Sequence, residues 1–185
     1  ILSASAAGNY EMQLNIKLNG EKKAISPYIY GVNEAGNSTS LKKVTTHSLR
    51  QGGNRFTGYN WENNYSNAGR DWNDSSDTNM GDVTDGPAYQ ARRLSKEAAE
   101  NNVDYKMATL QMAGYTSADK NGTVAASEVA PSSRWNKVEF QKDGALSDTP
   151  DLTDDTVYMD EYVNYLINNL GDSTTSTGIQ GYNLD

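Results

Sequence analysis

The sequence predicts an α/β fold built on a parallel sheet. Three observations carry this. Strand-like and helix-like segments alternate along most of the 185 residues. Pro87–Asn102 and Thr156–Leu170 have the apolar spacing of amphipathic helices. Between them run short apolar stretches that end in polar residues or glycine, as strands do where they open onto loops.

The elements follow in order. Glu11–Leu18 alternates Met12, Leu14, Ile16 and Leu18 with polar residues, which predicts a half-buried strand, and Asn19-Gly20 is a turn signal after it. Ser26-Pro27 breaks the pattern. Tyr28–Asn33 reads as a second strand, Gly36–Ser40 as a loop, and Leu41–His47 as a short helix weakened by Val44, Thr45 and Thr46. Ser48–Gly53 is a short strand whose final glycines let backbone approach a ligand. A long polar-aromatic loop runs to Gly86. Pro87 opens a helix with Ala88, Ala91, Leu94 and Ala98 on one face. Asp104–Gln111 reads as a strand and Met112–Asp155 as a second long loop. In Thr156–Leu170, the residues Met159, Tyr162, Val163, Leu166, Ile167 and Leu170 form one stripe, with Asp154 or Asp155 as the expected cap and Gly171 as the stop. Gly178–Asp185 reads as a last strand.

Composition narrows the function classes. The net charge of −8 offers no basic excess for a nucleic-acid backbone. With no cysteine, disulfides and thiolate zinc sites are excluded, and a single histidine, His47, excludes multi-histidine metal sites. His47 reads as structural, since no serine nucleophile elbow stands near it. No apolar run is long enough to span a membrane, so no membrane partner is expected. Mean hydropathy is −0.77, and with 12 tyrosines in the chain much of the ordering must come from aromatic packing. Ile1–Gly8 is compatible with the start of a mature secreted protein. No glycine-rich phosphate fingerprint is present.

Leu49–Trp72 is the richest stretch. It holds two Trp, two Tyr and one Phe among five Asn and three Arg. Aromatic faces suit the apolar C–H faces of a sugar, and amides and guanidinium groups suit its hydroxyls. A long ordered loop with its own small core is the other reading of the same composition. Two acidic stretches raise the question of calcium. Ser117–Glu128 places Asp119, Asn121, Gly122, Val124 and Glu128 at EF-loop positions three, five, six, eight and twelve. Ser117 is a poor first ligand, and the match reads as coincidence. Asp148–Asp155 offers Asp148, Asp151, Asp154 and Asp155 without EF spacing, and helix capping by Asp154 and Asp155 is the simpler role.

At Ser26–Asn33 (SPYIYGVN), Arg50–Trp72 (RQGGNRFTGYNWENNYSNAGRDW) and Gly181–Asp185 (GYNLD), with a looser likeness at Ala130–Trp135, the chain resembles glycoside hydrolase family 44. The resemblance implies an endo-acting β-1,4-glucanase, with cellulose-like β-glucan or xyloglucan as the polysaccharide partner. It implies a (β/α)8 barrel with a β-sandwich domain. Residues 25–185 would be the first four βα units of that barrel, and 1–24 would carry a strand of the sandwich. A retaining mechanism with two glutamates follows. The acid/base glutamate is expected in an Asn-Glu-Pro motif just after Asp185 and the nucleophile after the seventh strand, so neither falls within the sequence. The rest of the catalytic domain then becomes a partner of these residues.

Barrel active sites lie at the carboxyl ends of the strands. On that basis the expected substrate-binding residues are Asn33, Glu34, Asn54, Arg55, Trp61, Asn63, Asn64, Trp72 and Tyr115. Arg55 is placed beside the nucleophile by resemblance, where its charge would keep a carboxylate ionised. Glu34 and Glu62 are not read as the catalytic pair: Glu34 lines a subsite, and Glu62 orders the loop or binds a cation. No cofactor is needed for the chemistry. The family's calcium binding makes Asp151, Asp154 and Asp155 the candidate ligands of a structural ion. A non-catalytic carbohydrate-binding protein is the alternative, against which the two helices argue.

Overall fold

The computed structural model describes residues 2–6, 10–33 and 46–185. Glu34, the loop expected at Gly36–Ser40 and most of the helix expected at Leu41–His47 lie outside the described residues.

The centre is a four-stranded, all-parallel sheet. Its strands are β3 (Gly31–Asn33), β4 (Ser48–Arg50), β5 (Tyr105–Leu110) and β9 (Gly181–Leu184), side by side in that order. Register runs Val32 to Leu49, Leu49 to Lys106, and Ala108 to Tyr182. Parallel pairing demands a crossover between neighbours. Two crossovers carry full helices, α2 (Tyr89–Glu100) before β5 and α3 (Met159–Leu170) before β9.

Both helices pack through the stripes their sequences announce. Ala91, Leu94 and Ala98 of α2 join Leu49 and Ala108 of the sheet and Tyr162 and Leu166 of α3 in one buried cluster. Helix α2 starts two residues after Pro87, because Ala88 takes a left-handed conformation. Gly171 ends α3 at φ 90°, a conformation open to glycine at little cost. The start of α3 differs from expectation. Thr156–Tyr158 is a strand, β8, as its β-branched Thr156 and Val157 favour. Asp154 and Asp155 therefore do not cap the helix. The acids of its first turn are Asp160 and Glu161.

The loop expected over Met112–Asp155 contains a second sheet. Strands β6 (Tyr115–Ser117) and β7 (Trp135–Glu139) pair antiparallel, and β8 adds parallel to β7. At the other end of the chain, β1 (Leu2–Ala6) and β2 (Tyr10–Leu14) form an antiparallel hairpin. The predicted strand at Glu11–Leu18 is thus shorter and starts one residue earlier. Its alternating apolar residues stay open, with Met12, Leu14, Ile16 and Leu18 between 52% and 82% exposed.

Candidate functional site at the carboxyl ends of the strands

Strands β3 and β4 end side by side, and the chain leaving β4 turns at once. Gly53, at φ 97°, starts the single helical turn α1 (Asn54–Thr57). A side chain would be strained at that φ. This turn sets Asn54 and Arg55 above the strand ends. They border a cavity of about 490 Å³ with Asn33, Asp71, Trp72 and Asp77.

Asn33, Asn54, Arg55, Asp71 and Asp77 each have a fixed partner there. Asn33 accepts from the Arg50 guanidinium at 3.1 Å and donates to the Gly52 carbonyl at 3.2 Å. Asn54 donates to the Asp71 carboxylate. Arg55 reaches Asp77 through Nε at 2.8 Å and Nη2 at 2.7 Å. Asp77 is buried and also accepts from the Asn79 N–H. The pair is therefore a strut, and it also holds a guanidinium at the cavity edge. Trp72 is 59% exposed. It is a flat apolar surface beside polar groups, which is what a pyranose ring requires.

Other predicted residues turn inward. Trp61 is 0% exposed. Its ring stacks on Tyr162 and tilts against Tyr165, so it is core and cannot meet a sugar. Asn64 is likewise fully buried, at a left-handed φ of 64° that asparagine tolerates. Its Oδ1 accepts from Tyr59 Oη at 2.6 Å and the Tyr89 N–H at 3.0 Å, and its Nδ2 donates to the carbonyls of Asp82 and Gly86. Its role is to close the loop on helix α2. Asn63 borders a cavity, yet its amide is engaged by the Tyr65 N–H and the Ser117 carbonyl. These corrections share a cause: aromatic rings and amides in one loop can serve its interior as well as its surface.

Tyr115 faces two cavities. One, of about 380 Å³, adjoins Asn54, Thr57 and Ala68. The other, of about 870 Å³, is walled by Tyr65, Trp135, Asn60, Asn63, Glu62 and Asp154 among others. Glu62 is nearly enclosed there. Burial, and then the charges of Asp154, Glu161 and Asp151, push its carboxyl from an ordinary 4.5 up to about 8.

The predicted calcium ligands do not gather. Asp151 accepts from Thr153 N and Oγ1, Asp154 from Thr156 N, and Asp155 from Thr156 Oγ1. Among the described residues, no three His, Cys, Asp or Glu side chains are grouped to hold a metal ion. The EF-like spacing has a different use: Asp119 and Glu128 both bind Arg134. No helix among the described residues is long and apolar enough to cross a membrane.

In parallel α/β folds ligand sites lie beyond the carboxyl ends of the strands, where this chain gathers Trp72 with Asn33, Asn54 and Arg55. The sequence profile of glycoside hydrolase family 44 matches residues 65–185, about two-thirds of the chain, and the chain belongs to that family. Endoglucanase A of Paenibacillus lautus is 47% identical over 190 residues, covering 99% of this chain and 26% of that protein. The beta-mannanase/endoglucanase A of Caldicellulosiruptor saccharolyticus is 47% identical over 181 residues, covering 94% of this chain and 13% of that protein. Among solved structures, a family 44 endoglucanase from Clostridium thermocellum superposes with a TM-score of 0.79 at 50% identity. It covers 88% of this chain and 32% of that one. A Paenibacillus polymyxa xyloglucanase of the same family, solved with xyloglucan, gives 0.77 at 43%, again covering 88% and 32%. The chain thus spans a third or less of the relatives it matches.

Trp135 was not singled out by the sequence, although it walls both cavities that Tyr115 faces. The available signal was an aromatic residue closing the Ala130–Trp135 stretch and opening the strand Trp135–Glu139.

Proposed function

We propose that these residues belong to the catalytic domain of a secreted bacterial endo-β-1,4-glucanase acting on cellulose-like β-glucan or xyloglucan. The carrying observation is the cavity at the ends of β3 and β4, where Trp72, Arg55 and Asn54 meet, in a chain of family 44. The four parallel strands would be the first half of a (β/α)8 barrel, which needs four more to close. Residues 1–24, which carry the β1–β2 hairpin, would belong to a β-sandwich domain.

The chemistry proposed is retaining hydrolysis. One carboxylic acid protonates the leaving oxygen, and a carboxylate about 5 Å away attacks the anomeric carbon. Both glutamates are proposed to lie beyond Asp185. The residues present would supply the walls. Trp72 would stack on a sugar ring, Asn33, Asn54 and Tyr115 would meet hydroxyls, and Arg55, fixed by Asp77, would hold positive potential at the cleft. Release of reducing sugar from xyloglucan and carboxymethyl-cellulose by the full-length protein tests the activity. Proton NMR of the first-formed anomer tests retention. No release from either polymer would end the proposal, and an inverted product would end the retaining part.

A structural calcium is proposed on a narrower basis. Glu62, Asp154 and Asp155 border one cavity, and a cation there would relieve the charge that Asp154, Glu161 and Asp151 impose on Glu62. A melting temperature unmoved by a chelator would remove the ion.

A further inference from the structure

Trp135 stands where three cavities meet. It walls the 870 Å³ and 380 Å³ spaces that Tyr115 also faces, and a third of about 310 Å³ beside Asn67. The middle space shares Asn54 with the Arg55–Trp72 cavity. It also reaches Thr57, whose hydroxyl donates to the Asp185 carboxylate at the end of β9. Trp135 therefore lies on the strand-end face of the sheet, one step beyond Trp72.

Its indole is anchored from behind. Nε1 donates to the Glu128 carbonyl at 2.9 Å, and the Ser132 hydroxyl donates to the same oxygen at 2.8 Å. The segment carrying Glu128 is held in turn by Arg134. That guanidinium binds both oxygens of Asp119 at 2.7 and 3.0 Å, the Glu128 carboxylate at 3.1 Å, and the carbonyls of Gly122 and Thr123 at 3.3 Å. Arg134 is only 11% exposed, and both carboxylates raise its pKa, so this charge stays locked. Multidentate guanidinium–carboxylate pairing of this kind fixes direction as well as energy. An indole whose N–H is satisfied within its own loop has only its π surface left to offer.

We propose that Trp135 is a pyranose-stacking platform of the glucan cleft and that Arg134 is the positioning residue that presents it. The inference rests on the glycosidase function proposed above. It assigns a sugar contact to the excursion after β5, in addition to the one after β4.

The test uses the full-length protein and a soluble unbranched β-1,4-glucan, with thermal melting recorded for each variant. Trp135→Leu keeps apolar volume without a π face, and Trp135→Phe keeps a smaller ring. Trp135→Leu should raise KM about three- to tenfold, and Trp135→Phe by less than half of that. Arg134→Gln should raise KM as Trp135→Leu does. The double variant should be no worse than Trp135→Leu alone, because the two act through one ring. A folded Trp135→Leu protein with wild-type KM overturns the platform. Additive effects in the double variant overturn the positioning role. If wild-type protein hydrolyses no β-glucan, the glycosidase function itself fails and takes this inference with it. Hydrolysis by wild type with an unmoved Trp135→Leu sinks the platform alone.

Discussion

The indole of Trp61 lies nearly parallel to the phenol ring of Tyr162, with 5.2 Å between centroids and 10° between planes. Both rings are fully buried, so this stack joins the loop after β4 to helix α3 across the core. Trp61→Ala should cost about 3–5 kcal/mol, as large aromatic truncations in cores do. Urea unfolding checks this. Where the variant remains folded, its KM for glucan should match wild type.

Trp72 should behave in the opposite way. It is mostly exposed, so Trp72→Ala should leave stability within about 0.5 kcal/mol. Its KM for glucan should rise several-fold. Paired melting and kinetic measurements on both tryptophan variants separate packing from contact.

Glu62 gives a pH signature. Its carboxyl is raised from 4.5 to about 8, so the folded state holds a proton that the unfolded state has released between those values. Stability then falls as pH rises through that window, by up to about 1.4 kcal/mol per pH unit. Below pH 4.5 both states are protonated and the effect vanishes. In calcium-free protein, Glu62→Gln should match wild type at pH 4 and become progressively more stable from pH 5 to 8. With calcium present, loss of that advantage would support the proposed ion. Denaturant midpoints across pH, with and without calcium, read out both.

Lys142 should be costly to remove. Its ammonium lies 2.6 Å from the Glu161 carboxylate, which is buried and also accepts from the Ser147 N–H. Lys142→Met leaves that carboxylate without its cation and should cost about 3 kcal/mol. The Lys142 pKa is raised, chiefly by this hydrogen bond. The pair's contribution is therefore complete below the ordinary lysine range and lost only as pH climbs through the raised value. Because Lys142 also lowers the Glu62 carboxyl, the comparison is made in a Glu62→Gln background, where the difference between Lys142→Met and its parent should stay flat from pH 7 to 9 in chemical denaturation.

The helices were legible because a 3.6-residue stripe is a direct consequence of burying one face, and Ala91, Leu94 and Ala98 show it without help from the rest of the chain. The parallel sheet was legible from alternation alone. The second sheet was not, since β6 and β8 have only three residues each and no period can be read from three. Thr156–Tyr158 was drawn into the helix because Met159 continues directly from it, yet two β-branched residues favour the strand. The site was legible as a region and not as a set of residues. Trp61 and Trp72 sit in the same loop with the same neighbours in composition. Only the approach of Tyr162, from a helix a hundred residues further on, decides which ring is enclosed. Asp151, Asp154 and Asp155 show the same limit, since their spacing did not reveal that Thr153 and Thr156 donate to them.

The pairing of β5 with β9 also shapes how this chain comes together. Thr109 faces Asn183 across the ladder, 74 residues away in sequence. Everything between, including the small sheet and helix α3, must be made before that pairing can close. Contacts of such separation slow the search for the native state, because loop closure is lost entropy until the ladder forms. During synthesis at about 5–20 residues per second, several seconds pass after β5 emerges before its neighbour exists. The β5 edge is open through that interval, so assembly order is set here by the length of the excursion that carries Tyr115 and Trp135.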